Sequence, residues 1–114
     1  MKVVHVYRLY EGEGGHSFME DGKHLLSIDE KVPVQTLHYK ISPPRSISEK
    51  HNAPATNYVI TVKGTVRFKT SLGVEFIVQP GDLLIAEDVA GEGHSWELVG
   101  DDPWIRFYVV FTPV

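Results

Sequence analysis

Apolar and polar residues alternate with a period of two through most of this chain, and no window of helical length spaces its apolar residues three and four apart. That periodicity belongs to half-buried β-strands, so the sequence predicts an all-β fold. Residues 2–10 form a first strand, with Val4, Val6 and Arg8 on one face and Val3, His5, Tyr7 and Leu9 on the other. The run Gly12-Glu13-Gly14-Gly15 breaks it. Residues 34–41 alternate again, Gln35, Leu37, Tyr39 and Ile41 opposing Val34, Thr36, His38 and Lys40, until Pro43-Pro44 removes the ladder donors. From Asn57 onward short strands follow quickly, at residues 58–62, 65–69, 74–78 and 83–86, separated by Gly64, Ser71-Leu72-Gly73 and Pro80-Gly81-Asp82. Strands at this spacing predict a sandwich or barrel rather than a parallel α/β sheet. Residues 104–112 form the last strand, with Ile105, Phe107, Val109 and Phe111 against Trp104, Arg106, Tyr108 and Val110. Both faces are largely apolar, which predicts a strand covered on both sides or one that meets a second subunit.

At 114 residues there is material for one domain and one core, with no internal repeat and no linker. Cysteine is absent, so disulfides, thiolate metal sites and cysteine nucleophiles are excluded together, and metal chemistry is left to His, carboxylate and amide ligands. Fifteen acidic against eleven basic residues give a net charge of −4, the wrong sign for phosphate-driven affinity, so nucleic acid is not an expected partner. No apolar run approaches the roughly 18 residues of a membrane span. The alternation of the first ten residues is unlike a secretory signal, and a cytoplasmic address is expected.

Two stretches carry motif information. His51, Ala53, Asn57 and Gly64 share the spacing of a His-x-His, three or four residues, Glu, six residues, Gly pattern, with alanine in place of the second histidine and asparagine in place of the glutamate. Gly91-Glu92-Gly93-His94 fits Gly-x-x-His, with Val89 standing where proline is usual and Leu98 where asparagine is usual. Over about its last two thirds the chain thereby resembles the cupin superfamily of small jelly-roll barrels. The phrase Pro80-Gly81-Asp82-Leu83-Leu84-Ile85-Ala86-Glu87-Asp88 and the opening Gly15-His16-Ser17-Phe18 look like signatures of a group of small single-domain cupins. The resemblance implies an antiparallel double-stranded β-helix over residues 34–114, preceded by an N-terminal strand and arm over residues 1–33, and a homodimer.

The resemblance also places a metal site at His51, Asn57 and His94. Two imidazoles suit a divalent transition metal such as Fe, Mn, Ni or Zn, but a site of neutral ligands leaves the cation's charge uncompensated unless a carboxylate or an anionic substrate joins it. Such a site prefers a bidentate anion, for example an enolate or an α-keto acid. Glu87, Asp88 and Glu20 are the candidate anionic ligands or bases, with Glu87 and Asp88 taken as the candidate catalytic pair. His5, His16, His24 and His38 read as surface or interface residues, and Trp96, Trp104, Phe107, Tyr108 and Phe111 as core or subunit contacts. The expected function is a metal-dependent oxygenase or isomerase acting on a small anionic or dicarbonyl-type molecule held in the barrel. The alternatives are a metal-free binding module using the same pocket, favoured by Ala53 and Asn57, and a structural dimerisation domain.

Overall fold

A computed structural model describes residues 4–112; Lys2 and Val3, expected to open the first strand, lie outside the described residues. Ten strands form two sheets: β1 (Val6–Glu11), β2 (Ser17–Asp21), β3 (Val34–Ser42), β4 (Ile47–His51), β5 (Asn57–Lys63), β6 (Thr65–Thr70), β7 (Glu75–Val78), β8 (Leu83–Ala86), β9 (His94–Val99) and β10 (Trp104–Phe111). The first sheet runs β2-β1-β8-β5-β10-β3 and the second β4-β9-β6-β7. Among the described residues helix is confined to two three-residue 3-10 turns, Glu13–Gly15 and Lys23–Leu25, so the all-β expectation holds. Among the described residues no helix is long and apolar enough to cross a membrane.

From β3 onward the pairing is nested: β6 with β7, β5 with β8, β4 with β9 and β3 with β10, all antiparallel. The chain thus resembles one long hairpin whose successive rungs fall alternately in the two sheets. One contact departs from the expected antiparallel architecture, because β1 runs parallel to β8, with Val6 opposite Leu83 and Leu9 opposite Ala86. The β1–β2 hairpin therefore continues the chain's own first sheet. Both β1 and β8 must be covered on two sides at this junction. Their sequences answer that demand, since Val6, Leu9, Leu84, Ile85 and Ala86 are all buried.

The inward residues of the two sheets meet in a single core. Leu9, Val59, Leu84 and Trp104 come from the first sheet, and Val66, Phe68, Phe76, Val78 and Leu98 from the second. Phe68 stacks on Phe76 at a ring separation of 5.4 Å and meets Trp104 edge-on at 5.9 Å, the offset and T-shaped geometries that aromatic quadrupoles favour. This packing fills the β6–β7 side. Towards β3 and β4 the sheets part, since every residue of β3 except Ser42 is exposed and most of β4 is too. The space between them is where the candidate site lies.

A glycine sets the closure of that end. β4 pairs with β9 so that His51 stands opposite His94, and Gly93, with φ +76°, brings the start of β9 against the end of β4. A Cβ at Gly93 would lie 2.1 Å from the His51 carbonyl oxygen, a distance that only backbone movement can relieve. Gly73 has a similar φ of +89° with nothing within 4 Å of its virtual Cβ. Gly73→Ala is expected to cost about 1–2 kcal/mol, the left-handed penalty alone. Gly93→Ala is expected to cost at least about twice that, because steric overlap adds to the same penalty. Chemical denaturation of both variants checks this, and equal losses would show that the close approach at His51 is not tight.

Candidate functional site

The centre of the site is a buried carboxylate–histidine pair. Period-two geometry continues past β8, so Ala86 and Asp88 point inward while Glu87 points out. Asp88 is 0% exposed and His94, the first residue of β9, 5%. His94 Nδ1 lies 2.5 Å from Asp88 Oδ2, and the same oxygen accepts a hydrogen bond of 2.8 Å from Ser17 Oγ at the start of β2. An ionised Asp88 only accepts, so Nδ1 of His94 carries the hydrogen and its Nε2 is left as the basic nitrogen. Ser17 is itself fixed, its backbone N–H donating to Ser71 Oγ at 2.8 Å. Asp88 also anchors the neighbouring loop, since its carbonyl accepts from the Ala53 N–H at 3.1 Å.

His51 faces this pair across the β4–β9 ladder, with its ring centre 4.8 Å from that of His94. Its Nδ1 donates to the Glu49 carbonyl at 2.9 Å and also lies 2.9 Å from Ser48 Oγ, so again Nε2 is the uncommitted nitrogen. Asn57 opens β5 and is buried; its Nδ2 donates to the Ala55 carbonyl at 2.7 Å, which fixes the amide orientation and leaves Oδ1 occluded without a partner. The three residues line one cavity of about 50 Å³, walled by Ala53, Val59, Phe68, Leu84 and Trp104. Ala53, where the motif has histidine, is part of this wall. The cavity has room for a small polar group in an otherwise apolar setting, and it adjoins an open groove of about 510 Å³ that shares His51, Trp96 and Tyr108 with it.

His51, Asn57, His94 and Asp88 are therefore brought together, and Glu87 is not. Glu87 lies on the opposite face of the first sheet, where Arg8 Nε donates to it at 2.5 Å and Arg8 Nη1 to Glu20 at the same distance. Those bonds, led by Glu20, raise the already high pKa of the guanidinium against the opposing effect of burial. Both carboxylates are thus engaged on the outer face, away from His94. At the rim, the hydrogen bond from Lys50 holds the Glu92 carboxyl below the usual carboxylate range. Ser17, Tyr108 and Arg106 belong to the site or its mouth and were not singled out by spacing; the one visible signal was Arg106, a charge set among the apolar inward residues of the last strand.

As a metal centre the donor set is incomplete. Among the described residues no three His, Asp or Glu side chains converge on one point. The cavity is lined by two imidazoles and one amide, all neutral; the nearest carboxylate, Asp88, engages His94 and Ser17 through Oδ2, while its Oδ1 has no partner among the described residues. On their own, His51, Asn57 and His94 supply three neutral donors and no counter-charge for a divalent cation. They do fit acid–base work: a histidine with a fixed tautomer, a second histidine beside it, and a bare acceptor in an apolar recess. The chain matches no family model and no curated protein.

Proposed function

We propose that the chain is a cupin-type jelly-roll whose cavity takes a small enolisable anion and moves a proton on it at His94, an isomerase-type activity. The nested strand pairing, rolled across two sheets, supports the fold. The observation that carries the chemistry is the buried His94–Asp88 pair at the cavity wall. Asp88 holds the imidazole and compensates the imidazolium that forms when Nε2 takes a proton from a carbon next to a carbonyl. The C–H electron pair becomes the enolate, and the same nitrogen returns the proton at the second position, so no oxidant is needed. His51 is placed to hydrogen-bond the substrate oxygen, and Asn57 Oδ1 to accept from a substrate hydroxyl. The small apolar recess strengthens each of these contacts.

A second reading is favoured by the bare Asn57 Oδ1 and the two uncommitted Nε2 atoms: a divalent metal bound only together with an anionic ligand. Exchange of the methylene protons of oxaloacetate and the methyl protons of pyruvate in D2O, followed by proton NMR, tests both. The protein is expected to accelerate exchange over buffer, and His94→Gln to lower the rate by about 10²-fold with the fold retained, the scale of general acid–base catalysis. Activity unchanged after chelation supports the metal-free route. Activity lost on chelation and restored by Fe, Mn, Ni or Zn moves the reading to the metal. Exchange no faster than buffer, or unaffected by His94→Gln, overturns the proton-transfer proposal.

We also propose that the chain works as a homodimer through β3. This nine-residue strand ends the first sheet with one ladder edge unpaired by any described residue, and Leu37 and Tyr39 on its outer face are each 65% exposed. Phe107, Ile60 and Val62 extend that apolar face across β10 and β5. A long apolar edge pairs most readily with its own copy across a two-fold axis. Light scattering is expected to give twice the 12.8 kDa chain mass, with Leu37→Glu plus Tyr39→Glu reducing it to one. A wild-type mass of 12.8 kDa at micromolar concentration contradicts the dimer.

A further inference from the structure

The four arginines of the chain divide three to one. Arg8, Arg45 and Arg67 are at least partly exposed on their side chains and each is paired with a carboxylate. Arg106, 1% exposed and the most buried of them, has no carboxylate within ion-pair distance among the described residues. Its partners are neutral: Nε donates to Tyr108 Oη at 2.9 Å, and Nη1 to Ser42 Oγ at 2.8 Å and the Trp104 carbonyl at 3.3 Å. The guanidinium stacks 3.8 Å from the Trp104 ring centre, which offsets part of its desolvation but supplies no counter-charge.

The cross-strand neighbour makes the charge imbalance worse. Arg106 stands directly opposite Lys40 in the β10–β3 ladder, on the same inward face, and Lys40 also lacks an ion pair among the described residues. Like charges at such a pair repel. The chain is not short of carboxylates, with fifteen acidic residues against eleven basic. Both cations line the groove of about 510 Å³ that adjoins the His94 cavity, together with Glu49 and with Lys50, which is paired to Glu92. Nη2 of Arg106 makes no hydrogen bond to a described residue, and the Arg106 side chain is part of the groove lining.

We propose that Arg106 and Lys40 form a carboxylate-binding subsite at the mouth of the cavity, with Arg106 Nη2 donating from the groove floor and the Lys40 ammonium closing over the anion. This rests on the cavity being a ligand site, and it narrows the ligand class: a small carboxylic acid whose carboxylate is held at the mouth while its enolisable end extends towards His94. A planar carboxylate suits the edge of a guanidinium whose face is stacked on Trp104.

Both tryptophans of the chain flank Arg106, Trp104 at 3.8 Å and Trp96 at 5.7 Å, so intrinsic fluorescence reports on the subsite. The experiment is a titration of the full chain with sodium acetate, with sodium chloride holding ionic strength constant, followed by tryptophan emission and by the Arg106 Nε–H resonance. Saturable changes in both are expected in the range of roughly 1–10 mM, a weak single-anion affinity. Lys40→Gln, an exposed substitution, is expected to weaken acetate about tenfold, and Lys63→Gln to leave it unchanged. Lys40→Glu supplies an internal carboxylate, so it is expected to abolish acetate binding and raise the melting temperature. No saturation up to about 100 mM, or equal affinity in Lys40→Gln, overturns the subsite and leaves Arg106 a structural strut. Acetate binding without oxaloacetate exchange keeps the subsite and removes the His94 chemistry; exchange without acetate binding does the reverse.

Discussion

Asp88 has no contact with solvent, and an ionised carboxylate in that position is tolerable only if its neighbours supply hydrogens and charge. The carboxylate takes hydrogens from two places in the chain, both at Oδ2, while its Oδ1 is buried without a partner among the described residues. Ser17 arrives with the β1–β2 hairpin and His94 begins β9; separately, the Ala53 N–H on the loop after β4 donates to the Asp88 backbone carbonyl. Asp88, two residues past β8, therefore joins both sheets and the N-terminal hairpin at the open end of the sandwich. Loss of the Ser17 or Ala53 donor would strip a further partner from a buried residue, a deficit of about 1–3 kcal/mol. The same bonds that hold this end together also determine which histidine nitrogen faces the cavity.

The division of the molecule into a packed side and an open side follows from where large side chains fall. Phe68, Phe76 and Trp104 fill the space near β6 and β7. Near β3 and β4 the inward positions are His38, Lys40, Ser42 and His51, which do not close over a dry core. The sheets stay apart there, and the polar groups that prevent closure are the ones that face the groove. Trp104 belongs to both sides, since it packs on Phe68 within the core and carries the Arg106 guanidinium on its other contact. The core thus fixes the position of a cation at the mouth of the cavity.

Much of this was legible in the sequence. Strand β6, which alternates apolar and polar residues, and β5 and β8, short apolar runs bounded by turn residues, stand within a residue or two of their expected bounds. Strands β2 and β4 were not visible: β2 is short and half-buried, and β4 is a mostly exposed edge whose sequence Ile-Ser-Glu-Lys-His carries little apolar signal. β9 alternates His94, Trp96 and Leu98 inward, but with a histidine in its first inward position it reads as a motif more readily than as a strand. The motif spacing located His51, Asn57 and His94 in one cavity. It could not separate Glu87 from Asp88, although extending the β8 alternation by two residues does so. Ser17 and the Arg106–Lys40 juxtaposition depend on strand pairing over long sequence separations, which spacing does not encode.

The central claim is that Asp88 fixes His94 with its hydrogen on Nδ1 and its Nε2 basic towards the cavity. Nitrogen-15 NMR of the imidazole measures this directly, through the shifts of the two ring nitrogens at a pH where the ring is neutral. A protonated Nδ1 and an unprotonated Nε2 for His94, with that preference lost in Asp88→Asn, is the result expected. A neutral His94 carrying its hydrogen on Nε2, or a tautomer unchanged in Asp88→Asn, would contradict it.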